Sequence, residues 1–121
     1  MVSSLTAVLI AATSLAAAAS QPEQQWESDY GKALAATRKV NRPLLVVIDK
    51  PSDEKARLGD KLLNVEGEYG KLLKSYELCH VDAATEYGRK VAQSFGAKSF
   101  PHTSIIDKTG AVVLFKKAGV L

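Results

Sequence analysis

The chain has 121 residues and a mass of 13.0 kDa, the size of one domain. Its 46% hydrophobic and 24% charged residues exclude disorder over most of its length, and a formal charge of +3, from 16 basic and 13 acidic side chains, is too mild to argue for nucleic acid. A single cysteine excludes an intrachain disulfide, a Cys-Cys redox pair and a Cys-rich metal site.

Residues 1–20 carry no charged side chain. The run Leu5 to Ala19 is apolar and rich in alanine, and it ends in small residues that suit cleavage at Ala17–Ala19 or after Ser20. This is the pattern of a secretory signal peptide, although its leading end has only the α-amino group and no Lys or Arg. A membrane anchor is the competing reading. It is weakened by six Ser or Thr residues in a stretch that would need about 20 strongly apolar ones. Residues 1–20 are therefore expected as a signal peptide and residues 21–121 as the mature domain, secreted or periplasmic and free of the membrane after cleavage.

Ser28 is placed to cap a helix whose stripe is Tyr30, Ala33, Leu34, Thr37 and Val40, and Asn41-Arg42-Pro43 stops it. Leu44 to Ile48 is a continuous β-branched run, as in a strand buried on both faces. Asp49 to Asp53 is a turn cluster, with Ser52 or Asp53 capping a second helix along Leu58, Leu62, Leu63 and Val65, which Gly59 weakens. Tyr69, Leu72 and Leu73 add a further helical turn. Tyr76 to Val81 reads as the second strand. Thr85 to Phe95 is a helix with Tyr87, Val91, Ala92 and Phe95 inward and Gly96 as its stop. Thr103 to Ile106 and Ala111 to Phe115 form a closing hairpin around Asp107-Lys108-Thr109-Gly110. The alternation predicts parallel pairing for the earlier strands and an antiparallel hairpin.

Four stretches in this order resemble the thioredoxin superfamily. They are Trp26 with Ala33-Leu34 and Asn41-Arg42-Pro43 leading into the first strand; Tyr76 to Asp82; Tyr87 to Gly96-Ala97; and Ser99-Phe100-Pro101-His102 followed by Ser104 to Asp107 and Gly110. The resemblance implies an α/β, thioredoxin-like three-layer fold, a central mixed sheet with helices on both faces. It also implies a cis peptide bond before Pro101 and a peptide-binding surface made by Lys50, Pro51, Ser52 and Asp53 with Phe100, Pro101 and His102.

The departures from that family decide the expected chemistry. Redox-active members carry Cys-x-x-Cys just after the first core strand, where helix N-terminal amides acidify the attacking thiol and the second thiol resolves the mixed disulfide. Here that stretch is Lys50 to Ala56, with Asp53 to Ala56 in register with the missing pair, and it holds no cysteine. The buried acidic residue of the preceding strand is also missing from Val46-Val47-Ile48. The resemblance places a C-terminal helix after the hairpin; with the sequence ending at Leu121 that helix is expected to be missing, and one face of the hairpin, formed by Val112 and Leu114 or by Val113 and Phe115, is expected to be uncovered.

The remaining residues carry structural readings first. Cys79 reads as a small apolar core residue before it reads as a reactive thiol. Ser52, Asp53 and Glu54 read as helix caps before catalytic groups. His102 is expected on a solvated loop, and Trp26 as a staple for the N-terminal segment. Cys79 and His80 are neighbours in a strand and point to opposite faces, so no metal site is expected. Without a Gly-rich phosphate loop, no cofactor is expected either. The leading expectation is a redox-inactive protein-binding or peptide-binding, chaperone-like module whose partner is an extended peptide or protein. The alternatives are a one-cysteine thiol oxidoreductase using Cys79 and a structural subunit, a homo-oligomer, that pairs through an uncovered sheet face.

Overall fold

The computed structural model describes residues 25–119; the signal-peptide reading of residues 1–20 lies outside them. The elements in chain order are α1 (Tyr30–Val40), β1 (Leu44–Asp49), α2 (Asp60–Leu63), α3 (Gly70–Leu73), β2 (Glu77–Asp82), α4 (Glu86–Phe95), β3 (His102–Ile106) and β4 (Val113–Ala118). The strands form one sheet in the order β2-β1-β3-β4.

Strand β1 is the centre of the molecule. Leu44, Val46, Val47 and Ile48 are completely buried, which is why the run shows no polar alternation. Each such side chain contributes roughly 1.5–3 kcal/mol relative to an exposed one. β1 pairs in parallel with β2, Leu44 opposite Glu77 through Asp49 opposite Asp82. Simple alternation would run β3 the same way. Instead β3 is antiparallel to β1, because the chain leaving α4 re-enters the sheet at the end of β1, with His102 opposite Ile48. β4 returns antiparallel to β3, with a register shift at Ile105/Ile106.

One sheet face packs against α1 and α4. Leu44, Val46, Ile48, Cys79, Val81 and Ile106 meet Ala33, Val91, Ala92 and Phe95 there. α1 is capped by Asp29, one residue later than the expected Ser28, because the Asp29 carboxylate is what accepts the Lys32 amide, at 3.0 Å. α1 ends on Asn41 in the left-handed conformation (φ 62°). Thr85 caps α4 by accepting the Gly88 amide at 2.8 Å, and Gly96 (φ 69°) closes it. Tyr87, expected inward, is exposed; its hydroxyl accepts the Tyr30 amide at 2.8 Å and ties α4 to α1.

The other face is thinly covered. The helix expected from Ser52 or Asp53 onward is replaced by a turn-rich loop and the single-turn helices α2 and α3. The apolar stripe still points inward, with Leu58 and Leu73 buried and Leu62 and Val65 half-buried. These residues and the sheet leave an apolar pocket of about 180 Å³ bounded by Trp26, Leu45, Val47, Ile105 and Phe115, among others. Beyond it, Val112, Val113, Leu114 and Phe115 are 51%, 44%, 61% and 43% exposed, so both faces of the hairpin tip lie open.

The two outer strands differ. The N-terminal segment runs along β2: Glu27 donates its amide to the Leu78 carbonyl and accepts the His80 amide, each at 2.9 Å. The Trp26 indole anchors that segment by donating to the Leu63 carbonyl at 2.6 Å. Among the described residues, nothing pairs with the outer side of β4.

Candidate functional site

The loop after β1 is held by its own backbone. The Lys50 amide donates to the Ala56 carbonyl (2.9 Å), Asp53 to Lys50 (2.9 Å) and Ala56 to Asp53 (3.0 Å). The Asp53 carboxylate accepts the Lys55 amide two residues on, at 3.0 Å, so it closes a local turn and caps no helix. The nearest helix, α2, begins at Asp60 behind Gly59, which offers no side-chain cap. Ser52, Asp53 and Glu54 are therefore not helix-capping residues as expected. The amides that would acidify a thiol at a helix start are here bonded within the loop.

The second loop meets the first through Lys50 and Phe100. The Lys50 ammonium lies 5.4 Å from the centre of the Phe100 ring, within cation–π range. The Phe100–Pro101 peptide bond is cis. Pro51, Ser52 and Asp53 are exposed, Phe100 is half-buried and Pro101 is buried behind it.

His102 does not join this surface. It is the first residue of β3, buried, on the α1/α4 side of the sheet. Its Nε2 lies 3.1 Å from the Ser104 hydroxyl and its ring 6.3 Å from that of Phe95. Burial, aided by the nearby Lys116 ammonium, lowers its pKa from the ordinary imidazole value of 6.5. The solvated-loop expectation fails because the strand starts one residue earlier than its β-branched run suggested.

Cys79 is completely buried in β2, on the face that meets α1 and α4. Burial first, then the carboxylates of Glu27 and Asp29, pushes its thiol up to about 12. The thiol is therefore held in its protonated form, far from the acidified, accessible state of a nucleophile.

The buried carboxylate thought absent is present one residue past Val46-Val47-Ile48. Asp49 ends β1 with its side chain 1% exposed. One oxygen meets His80 Nε2 at 2.6 Å and the other accepts the Leu58 amide at 2.8 Å. The Trp26 ring packs edge-on to His80, 6.0 Å between centres. Asp49 was read as a turn residue because it borders a turn cluster. The available signal was His80, two residues before the end of the neighbouring strand, on the same sheet face. Cys79 sits on the opposite face, so this Asp–His pair has no thiol to serve. It clamps the loop to the sheet. Among the described residues no cluster of three or more His, Cys, Asp or Glu side chains is arranged to hold a metal ion.

No protein-family model matches the sequence, and no curated protein matches it. Solved structures do. Thioredoxin O2 from Arabidopsis thaliana superposes with a TM-score of 0.62 at 12% identity, over 84% of this chain and 89% of that one. This chain has the thioredoxin fold. A thioredoxin from Thermus thermophilus gives a TM-score of 0.60 at 18% identity, over 79% and 76% of the two chains. A disulphide isomerase from Xylella fastidiosa Temecula1 gives 0.55 at 23% identity, over 71% and 68%. This chain holds one cysteine and therefore no Cys-x-x-Cys pair.

Proposed function

We propose that this chain is a redox-inactive, thioredoxin-like module that binds extended polypeptide, in a chaperone-like role, in a secreted or periplasmic setting. Its binding surface is formed by Lys50, Pro51, Ser52 and Asp53 together with Phe100 and the backbone at Pro101; His102 supports that loop from the core side. The observation that carries the reading is the placement of the only thiol, buried in β2 with its pKa pushed up to about 12, while the loop that meets Phe100 holds no sulfur. A dithiol exchange needs an accessible thiolate and a resolving partner. The same observation counts against a one-cysteine oxidoreductase using Cys79.

The test has two arms. Insulin disulfide reduction by dithiothreitol should run at its background rate with the protein present. Binding of a labelled unfolded peptide, followed by anisotropy, should weaken about three- to tenfold in Phe100→Ala and in Lys50→Ala, the scale of an exposed cation–π and aromatic contact. Reduction above background that vanishes in Cys79→Ala, or binding unchanged in both loop variants, would overturn the proposal.

A further inference from the structure

We infer that the outer edge of β4, which no described residue pairs with, is a second docking surface, one that takes an extended segment pairing an apolar residue with an acidic one. This inference goes beyond the loop surface proposed above and does not rest on it. It starts from the phase of the hairpin. The Gly119 amide donates to the Pro101 carbonyl at 2.7 Å, and at the other end the Asp107 amide donates to the Val112 carbonyl at 2.9 Å. In an antiparallel ladder, hydrogen-bonded pairs alternate with non-bonded ones. Lys117 and Phe115 therefore spend their backbone groups on Thr103 and Ile105, whereas Lys116 and Ala118 aim theirs away from the sheet. That row of donors and acceptors is what an added strand uses.

The side chains beside the row specify the partner. Phe115 and Lys117 stand two residues apart on the face that carries the apolar pocket. A strand laid along β4 would set an apolar residue against Phe115 and, two positions on, an acidic residue against Lys117. Charge supports the acidic member. Residues 96–121 hold four basic side chains (Lys98, Lys108, Lys116, Lys117) and one acidic one (Asp107), whereas the rest of the chain balances at twelve of each. The whole formal charge of +3 thus belongs to the segment that carries the open edge. Asp107 is occupied within its turn, accepting from the Thr109 hydroxyl at 2.8 Å and from the Ala111 and Val112 amides.

Edge lysines also guard strands against pairing with copies of themselves. Two β4 strands paired about Lys117 would bring it against its counterpart, and like charges across a strand pair repel; Lys116 is turned back, its ammonium donating to the Phe95 carbonyl at 2.8 Å. The same Lys117 that disfavours a second copy favours an acidic partner. An anionic membrane could answer the charge, but lipid offers no strand to the outward amides of Lys116 and Ala118.

The test uses the full chain and a short labelled peptide repeating Val-Thr-Glu-Thr, which sets valine and glutamate two positions apart on one face, followed by fluorescence anisotropy. Methylating the peptide amides that face β4 should weaken binding at least about tenfold, and methylating those on its other edge should not. Replacing glutamate by lysine in the peptide should abolish binding, and Lys117→Glu should reverse that preference. Lys117 is no part of the loop surface, so that reversal separates the two surfaces. Equal affinity of the two methylated peptides, an unaltered preference in Lys117→Glu, or no peptide binding would each overturn the inference. So would tighter capture by phosphatidylglycerol vesicles, or concentration-dependent dimerisation that the peptide does not reverse. The methylated peptides need no protein variant, so the test survives a misfolded Lys117→Glu.

Discussion

Strands β2 and β4 flank the same sheet, yet among the described residues only β2 has its outer side occupied. Glu27 pairs with Leu78 and His80, and the Trp26 indole locks that short segment onto Leu63. β4 carries four exposed apolar residues in or just before it, a register shift and two lysines, one of which donates back to the Phe95 carbonyl, and among the described residues no strand pairs with it beyond β3. The difference shows two ways to manage an unpaired strand: covering it with chain, or charging it. Covering contributes to stability, because it buries side chains and closes hydrogen bonds. Charging leaves the strand available and contributes little to stability.

The comparison can be broken most sharply on the β2 side. Asp49→Ala should cost about 3 kcal/mol, since it strands His80 and the Leu58 amide together; urea denaturation checks this. A loss under about 0.5 kcal/mol would mean that the loop is not clamped to the sheet. Trp26→Ala should cost about 2 kcal/mol through its indole hydrogen bond and packing, again by urea denaturation. At the other edge, Leu114→Lys should change stability by no more than about 0.5 kcal/mol, as expected for an exposed site. If Leu114→Lys proved as costly as Trp26→Ala, the contrast between the edges would be false.

Two titrations refine the picture within the core. Native Cys79 should react with iodoacetamide orders of magnitude more slowly at pH 8 than the same chain in urea, because burial holds its thiol up at about 12. Labelling at comparable rates would place the thiol at the surface. His102 has its pKa lowered by burial and by Lys116, so the folded state favours the neutral ring. Its contribution is complete above the ordinary value of 6.5 and is lost as pH falls through that value towards the lower folded one. Thermal unfolding of His102→Asn should accordingly fall less steeply between pH 7.5 and pH 5 than that of the parent chain. Equal slopes would remove His102 from the acid response.

Much of the fold was legible because some residues leave few options. The unbroken run Leu44 to Ile48 reads as a doubly buried strand, and it is one. Thr85 and Gly96 mark both ends of α4 through a side-chain cap and a left-handed stop. What could not be read depended on contacts distant in sequence or on local bonds of similar strength. Ser52-Asp53-Glu54 can open a helix or close a turn, and the Asp53–Lys55 bond settles on the turn. Asp49 looks like loop until His80 from the neighbouring strand meets it. Of the proposed binding residues, Lys50 and Phe100 come together, whereas His102 turns away, because a strand boundary moved by one residue changes which side of the sheet a side chain faces.

The loop after β1 also sets a limit on engineering. Placing cysteines at Asp53 and Ala56 would restore the spacing of an oxidoreductase but not its reactivity. The amides at Asp53 and Ala56 already donate to carbonyls within the loop, so an introduced sulfur would keep an ordinary acidity. A helix would have to be rebuilt there as well, so an acidified thiol at this position is a matter of architecture as much as of two sulfur atoms.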